Sequence, residues 1–541
     1  MQNDDFVHIS LKPDNMLTAW KASLRFAMNI ETPARERQPT KEIQMKVALI
    51  SVDNHTIGIQ TVATVVADAG SEPALFYLPS HLRNYPEAIE ERIIQTLRGA
   101  AKEDERILIG FHLKELSFSR SLQLAKTARK GFGNRAVLVA GGTHAASLRE
   151  ELLPYFDHAV VGSGEGIVPI LQAMENGTTV PRLIQGPPSK FIYPLFRDAY
   201  VLDGSGQIVR ARIRPLAHPQ YKHRQSMEIM LEVGCSYACS FCEVAALREM
   251  FGKQYRILSS QPEQAIDIIR EQIGLSPGIE YVYFFDEDFL LKSEKWIDTF
   301  TEGYASIGLP FFIFATPRSV SKGKRKLSAL ADVGLDTVNI GVQSGSERIA
   351  RDLFGRKEDR AEIISVLSVL TSLYQNGRVT SPPMIDWIIL NPYETSADAV
   401  ETIRLLRDLP LPFNAVMHCM SFFRGTPLYK KALTEGVIPA EYRFRYDLHD
   451  FLNRIGANEF RLDFTSRPNL EWLKCNTILA GMNGLHAIKG KTRYYGGIVE
   501  KDLPKYLATE MSLKEILELA ASLPNPMDGV LFPWEMEYAR Q

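Results

Sequence analysis

Three of the five cysteines in this chain of 541 residues lie in one short stretch, LEVGCSYACSFCEV (231–244). Cys235, Cys239 and Cys242 have the spacing C-x3-C-x2-C, and Phe241 directly precedes the third cysteine. A structural zinc site normally takes four ligands in two pairs, and no second C-x2-C pair occurs. A redox C-x-x-C motif needs only two cysteines. Three thiolates on one tight loop instead fit three irons of a [4Fe–4S] cluster, with the fourth iron open to another ligand.

A second reactive stretch is the acidic sequence in YVYFFDEDFLL (281–291). Asp286, Glu287 and Asp288 directly follow a run of aromatic and apolar residues, which predicts a buried strand. Such a strand would place the three carboxylates together at its carboxyl end. The alternative is a solvated acidic strand end.

These two stretches, in this order, resemble the radical S-adenosylmethionine (SAM) superfamily over about residues 225–432. The cysteine spacing with its aromatic residue is the signature of that superfamily, and the acidic stretch resembles the second barrel strand of its cobalamin-fused subgroup. Four later segments resemble the third, fourth, fifth and closing strands: FFIFATPRSV (311–320), VNIGVQSGSERIARDL (338–353), DWIILNPYET (386–395) and MSFFRGTPLYKKA (420–432). Asn391 replaces a glycine of the pattern.

The resemblance implies roles for individual residues. The three cysteines would ligate the cluster, and the open iron would bind the amino and carboxylate groups of SAM. Phe241 and Tyr237 would pack near the adenine. The remaining residues implied to bind SAM, through its amino group, carboxylate or ribose, are Asp286, Glu287, Asp288, Arg318, Gln343 and Ser344.

The elements that precede the cysteines alternate between strands and helices. Five apolar runs predict buried parallel strands: KVALISV (46–52), ALFYLP (74–79), RILIGFHL (106–113), AVLVAGG (136–142) and HAVVGSG (158–164). Helical stretches between them predict a doubly wound sheet. Ligands bind such sheets at the carboxyl ends of the strands, so the loops there matter most.

Three of these loops, DNHTIG, VAGGTH and VVGSGEG, together resemble the cobalamin-binding domain over about residues 46–175. The resemblance implies that the first loop lies under the corrin and that the later loops hold the displaced tail of the cofactor. Its candidate residues are Asp53, His55, Gly58, Gly141, Gly142, Gly164 and Glu165. His55 either ligates cobalt, oriented by Asp53, or only lines the pocket.

The predicted fold class is α/β: a doubly wound cobalamin-binding domain, a partial (β/α)6 radical SAM barrel and a small, mainly helical C-terminal domain. The predicted divisions are a helical extension (1–45), the first domain (46–178), a proline-containing linker (179–222), the barrel (223–432) and the C-terminal domain (433–541). Four aromatic residues near the end are either pocket residues or ordinary packing: Tyr494, Tyr495, Trp534 and Tyr538.

Composition excludes several classes of function. The net charge of −2 and the absence of a basic stripe argue against nucleic acid as a partner. No apolar run reaches the roughly 18 residues of a membrane span. The N-terminus lacks the pattern of a secretory signal, and so few cysteines do not form a disulfide framework. We expect a cytoplasmic protein.

The resemblance implies methylation of an unactivated carbon, or a phosphorus, in a small-molecule or peptide substrate. One SAM would methylate cobalamin, and a second would yield the 5′-deoxyadenosyl radical. A low-potential donor such as flavodoxin or ferredoxin would supply the electron. Two alternatives remain at this point: a cyclisation or rearrangement without methylation, and a cobalamin-binding sensor without catalysis.

Overall fold

The computed structural model describes residues 47–52, 57–78, 87–100, 106–114, 118–194, 198–202, 208–212, 226–276, 278–389, 391, 393–420, 422–438 and 459–464. The predicted N-terminal extension, Asp53, His55 and the four C-terminal aromatic residues lie outside the described residues. Within the described ranges, no helix is long and apolar enough to cross a bilayer.

The first domain is built on an eight-stranded sheet with the order β6-β5-β4-β3-β1-β2-β7-β8. The strands are Val47–Val52, Pro73–Leu78, Ile107–His112, Ala136–Gly141, His158–Gly162, Leu183–Gly186, Asp198–Leu202 and Ile208–Arg212. Neighbours pair in parallel except β7 with β8, which are antiparallel. Every residue of β1 is buried, as a strand covered on both faces requires. The predicted doubly wound sheet is confirmed.

Helices cover both faces of this sheet. They are α1 (Ile57–Asp68), α2 (Glu87–Ala100), α3 (Phe118–Phe132), α4 (Thr143–Leu148) and α5 (Ile167–Asn176). One core packs α1 and α5 against the sheet, and a second core packs α2, α3 and α4 against the other face. The segment predicted as a linker (179–222) contributes β6 to one edge of the sheet and β7 and β8 to the other. Edge positions suit short strands flanked by proline, which cannot donate to a central ladder.

The second domain holds a seven-stranded sheet with the order β17-β16-β15-β14-β13-β12-β9. Its strands are Ser226–Ile229, Tyr281–Phe284, Phe311–Ala315, Leu335–Gln343, Met384–Ile389, Phe413–Cys419 and Glu459–Phe464. The first six are parallel, and β17 closes the edge antiparallel to β16. A short separate pair, β10 (Glu232–Val233) with β11 (Leu258–Ser259), precedes the helices.

The helices of the second domain are α6 (Glu243–Phe251), α7 (Pro262–Leu275), α8 (Glu294–Tyr304), α9 (Pro317–Lys322), α10 (Lys324–Asp332), α11 (Arg360–Gln375), α12 (Ser396–Asp408) and α13 (Pro427–Thr434). The main core lies between the sheet and its outer helices. A smaller inner cluster joins residues of β12 and β13 to residues of β15 and β16, namely Tyr281, Tyr283, Phe312, Met384 and Val416. Strands that are not neighbours meet there, so the sheet curves around an interior in the manner of a partial barrel.

Candidate cluster and cofactor site

The three cysteines lie on the loop that joins β10 to α6, and all three are free thiols. Burial raises the pKa of Cys235 to about 11 and that of Cys242 to about 12. Thiolates in such surroundings need a compensating positive charge, which the irons of a cluster provide. The donor set and its single loop therefore fit a [4Fe–4S] cluster.

Backbone contacts hold this loop in shape. The N–H of Ser240 donates to the carbonyl of Phe354 (3.1 Å), and the N–H of Leu428 donates to the carbonyl of Ser240 (2.9 Å). Phe241 packs edge-on against Phe354, with ring centroids 4.9 Å apart. The cluster loop is thus fixed by the chain that follows β14 and by the start of α13.

A buried arginine completes the surroundings of the loop. Nη1 of Arg356 lies 3.7 Å from Sγ of Cys239, and Nη2 donates to the carbonyl of Gly341 (2.6 Å). Its guanidinium also lies 6.0 Å from the ring centroid of Tyr237. Sequence analysis missed Arg356, because no motif marks it and it reaches the loop only through the fold.

The acidic stretch divides into two supporting carboxylates and one accessible carboxylate. Asp286 is fully buried and forms an ion pair with the equally buried Lys292 (2.7 Å). Asp288 is buried, begins the helical turn at Phe289–Leu291, and accepts hydrogen bonds from the N–H and hydroxyl of Thr316. Both aspartates therefore stabilise the strand end.

Glu287 is the exposed member of the three. It continues the alternation by which Tyr281, Tyr283 and Phe285 face the barrel interior. Desolvation, followed by the charges of Asp286 and Glu243, nevertheless raises the pKa of Glu287 to about 7. Of the three carboxylates, Glu287 is thus the one whose side chain remains accessible from the interior of the barrel.

The other residues implied for SAM lie in different surroundings. Gln343 ends β14 with a φ of 71° at a register shift, a strained conformation typical of functional sites. Ser344 is buried, accepts the N–H of Ser346 (3.2 Å) and hydrogen-bonds Glu394. Arg318 lies on α9 and faces Glu362 of α11 at 3.7 Å.

Asn391 is buried in the turn that follows β15. Its Oδ1 accepts the N–H of Tyr393 (3.1 Å), and its carbonyl accepts the N–H of Glu394 (3.0 Å). The amide side chain therefore shapes a turn where the family pattern has glycine.

In the first domain, the described glycines of the predicted corrin loops lie at the carboxyl edge of the sheet. A Cβ on Gly142 would lie 2.6 Å from the carbonyl oxygen of Leu113, and a Cβ on Gly164 would lie 2.8 Å from Val62. Gly141 has only the carbonyl of Val160 near its Cβ position, at 3.9 Å. The glycines at 142 and 164 thus permit close packing of the loops, which a side chain would disrupt.

Two polar residues occupy the same edge. Nδ1 of His112, at the end of β3, lies 3.0 Å from the hydroxyl oxygen of Ser51. A Cβ built on Gly58 would lie 3.3 Å from Nε2 of the same ring. Glu165 accepts hydrogen bonds from Ser163 and from Ser189, which lower its pKa despite partial burial. His112 was missed in the sequence, where it reads only as the end of an apolar strand.

The edge of the first sheet that holds the predicted corrin loops contacts the end of the cysteine loop in the second domain. The hydroxyl of Thr143, in the VAGGTH loop, hydrogen-bonds the carboxylate of Glu243, the residue after the third cysteine. Burial raises the pKa of Glu243 to about 7, partly offset by Lys114 and Thr143. Glu243 was also missed, although its position directly after the cysteine motif is visible in the sequence.

Comparisons with known proteins agree with this arrangement. Residues 231–421 match the Radical SAM superfamily. The fold is similar to that of the cobalamin-dependent SAM radical enzyme OxsB with aqua-cobalamin bound, with a TM-score of 0.50 and 13% identity, over 95% of this chain and 80% of that chain. OxsB with aqua-cobalamin and SAM gives the same values, and the apo form covers 92% and 76%. No curated protein matches the chain by sequence.

The family match rests on the barrel, whereas the likeness to OxsB extends over nearly the whole chain and concerns the fold. The order of domains, with a doubly wound sheet followed by the barrel, is the order predicted from the sequence. Residues 231–421 of this chain therefore form a radical SAM domain, and the chain as a whole has a fold similar to that of the cobalamin-dependent radical enzyme OxsB.

Proposed function

We propose that the protein is a cobalamin-dependent radical SAM methylase, which methylates an unactivated carbon or phosphorus centre of a small-molecule or peptide substrate. The observation that carries this proposal is the contact of Thr143 with Glu243, which brings a predicted corrin loop to the residue after Cys242. When bound, the cluster and SAM supply hydrogen-atom abstraction, and cobalamin supplies the methyl group.

Different side chains would bind the cluster and SAM. Cys235, Cys239 and Cys242 would hold three irons, and Arg356 would donate a hydrogen bond to the ligand sulfur of Cys239. Glu287 would bind the ammonium group of SAM, since an anion in a poorly solvated cavity favours a cation. The barrel and the first domain together would exclude water from the reacting atoms.

The corrin would lie on the loops that contain Gly58, Gly141, Gly142 and Gly164. Glu165 supports the third loop through Ser189 and does not need to contact the cofactor for that role. An external low-potential donor such as flavodoxin or ferredoxin would reduce the cluster.

The test uses the full chain, reconstituted without oxygen and loaded with cobalamin. SAM and a strong reductant are added, and mass spectrometry follows methylcobalamin, S-adenosylhomocysteine and 5′-deoxyadenosine. The controls are protein without cobalamin and the variant Cys239→Ser. We expect enzyme-dependent methylcobalamin and S-adenosylhomocysteine, and the Cys239→Ser variant should form no 5′-deoxyadenosine.

Two other results would contradict the methylase. Formation of 5′-deoxyadenosine without methylation of cobalt would favour a cyclisation or rearrangement. Cobalamin binding with no cleavage of SAM would favour a sensor.

A further inference from the structure

A polar cluster lies inside the barrel, apart from the cysteine loop and the acidic stretch. Asn339, Asp386 and His418 stand on three neighbouring strands, β14, β15 and β16. The residues that flank Asn339 and Asp386, namely Val338, Ile340, Ile385 and Trp387, pack in the outer core, and Val416, two residues before His418, lies in the inner cluster. Because side chains alternate along a strand, the three polar residues face the interior.

The three side chains hydrogen-bond one another. Nδ2 of Asn339 donates to both oxygens of Asp386, at 3.1 Å each. Nε2 of His418 lies 3.2 Å from Oδ1 of the same carboxylate. Asp386 is thereby held in one orientation by groups on both sides.

The cluster retains acceptor capacity. A carboxylate only accepts hydrogen bonds, so the Asn339 atom that faces it must be Nδ2, and Oδ1 points elsewhere. That Oδ1 is buried and has no hydrogen-bond partner among the described residues. A buried acceptor without a partner is costly unless a ligand supplies a donor.

The interior beside the cluster is open. The side chain of His418 is 40% exposed although it lies on the inner face of the sheet, and Asp386 is 16% exposed. Phe314, the register partner of Asn339, and Phe285 are only partly buried, with ring centroids 5.7 Å apart. Solvent-accessible space inside the barrel is therefore bordered by His418 and Asp386 on one side and by the rings of Phe285 and Phe314 on neighbouring strands.

We propose that Asp386 and Asn339 bind a protonated amine of the substrate, with His418 positioning the carboxylate and with Phe285 and Phe314 beside the cation. Carboxylate and amide oxygens accept from an ammonium group, and aromatic faces attract it. This assignment deepens the proposed function by naming the class of substrate, and it rests on that function only for the reaction the amine-bearing molecule undergoes.

The test uses three probes of nearly equal size that differ in charge: tyramine, 4-ethylphenol and 4-hydroxyphenylacetate. Calorimetry measures their binding to the full chain with its cluster, without oxygen or reductant and with saturating SAM, so that the SAM site is occupied. The variants are Asp386→Asn and the nearly isosteric Asn339→Leu, and the matched control is Asp298→Asn on the exposed face of α8. Within the described part of the chain, the Asp298 carboxylate pairs there with Arg325.

We expect tyramine to bind the unaltered protein at least about fivefold more tightly than either other probe. Asp386→Asn should bring tyramine to within about twofold of 4-ethylphenol, Asn339→Leu should lower the preference, and Asp298→Asn should keep it. Equal binding of all probes, no binding, or a preference retained in Asp386→Asn would overturn the proposal. Unaltered cluster absorption in each variant checks folding. The readout does not involve methyl transfer, so failure of the methylase proposal would leave this result standing.

Discussion

Thr143 and Glu243 hydrogen-bond each other across the contact between the two sheets. Further along the same segment, Ser147 of α4 donates to the carbonyl of Arg424 (2.7 Å), and Glu151, in the 3-10 turn at Arg149–Leu152, pairs with the Arg424 guanidinium (2.9 Å). These three residues of the first domain all contact the second domain and form one polar seam between the two. The seam joins the predicted corrin loop to the start of α6.

The seam predicts that Glu243→Ala weakens cobalamin binding. Loss of a hydrogen bond to a charged group costs about 1.5–3 kcal/mol, so we expect affinity to fall about tenfold or more. Pulsed electron paramagnetic resonance should also show a broader distribution of distances between cob(II)alamin and the reduced cluster. Asp298→Asn on α8, which removes an exposed pair with Arg325, is the control, with an expected cost below about 1 kcal/mol. Unchanged affinity and distances in Glu243→Ala would refute the role of the seam.

Arg356 should set the reduction potential of the cluster. A unit charge at this range is worth about 4 kcal/mol at an effective dielectric constant of 20, and about 1.4 kcal/mol corresponds to 59 mV for one electron. Positive charge stabilises the reduced cluster, so Arg356→Gln should lower the potential by on the order of 100–200 mV. Redox titration followed by electron paramagnetic resonance measures this shift. Arg351→Gln, at an exposed position, serves as the control, and an equal shift in both variants would contradict the assignment.

The buried pair of Asp286 and Lys292 should be critical for stability. Both side chains are inaccessible, and Nζ of Lys292 lies 4.4 Å from the ring centroid of Phe289. Asp286→Asn leaves a buried cation without its partner, which costs about 3–5 kcal/mol. The double variant with Lys292→Met should cost less than the single one.

Urea unfolding measures the free energy of unfolding of Asp286→Asn, of Lys292→Met and of the double variant. Glu249→Gln, which removes an exposed pair with Lys430 (2.9 Å), provides the control and should cost below about 1 kcal/mol. A double variant as unstable as the sum of its two single variants would show that the two charges do not interact.

Gly142→Ala should impair cobalamin binding selectively. Gly142 has a φ of +100°, and a methyl group there would overlap the carbonyl of Leu113. The loop must shift, so we expect at least about a tenfold loss of cobalamin affinity with normal cluster content. Gly177 has a φ of +65° in the left-handed region with nothing within 4 Å of its Cβ position, so Gly177→Ala adds a methyl group at a positive-φ glycine of the same domain without a clash. Equal cobalamin binding by the two variants would argue against this loop as the corrin site.

The sequence predicts those features that depend on local pattern. A continuous apolar run such as β1 is typical of a strand buried on both faces, and the structure buries all six of its residues. The cysteine motif and the glycines of the loops are likewise contiguous. Each of these signals lies within about ten residues, so no tertiary information is needed to detect it.

Contacts that depend on how the strands pair could not be predicted from the sequence. Arg356 meets Cys239 across 117 residues, and Asp386 meets His418 only because β15 and β16 pair side by side. Strand alternation predicts that Glu287 points away from Asp286 and Asp288, but not which side faces the interior. The edge strands β6 to β8 were missed because short strands between prolines resemble a connector.

Glu394 should make stability depend on pH. It is buried near Asp398, and desolvation, reinforced by that charge, raises its pKa to about 8. The unfolded chain holds this carboxyl near its usual pKa of about 4.3, so the folded state binds the extra proton and loses stability as pH rises between these values. The slope for one proton reaches about 1.4 kcal/mol per pH unit. The midpoint of thermal unfolding of the reconstituted protein should therefore fall from pH 6 to pH 9. Glu394→Gln should make the midpoint depend less on pH and should raise it at pH 9. Glu249→Gln, at an exposed site, should keep the original slope, and an unaltered slope in Glu394→Gln would assign the pH dependence to another group.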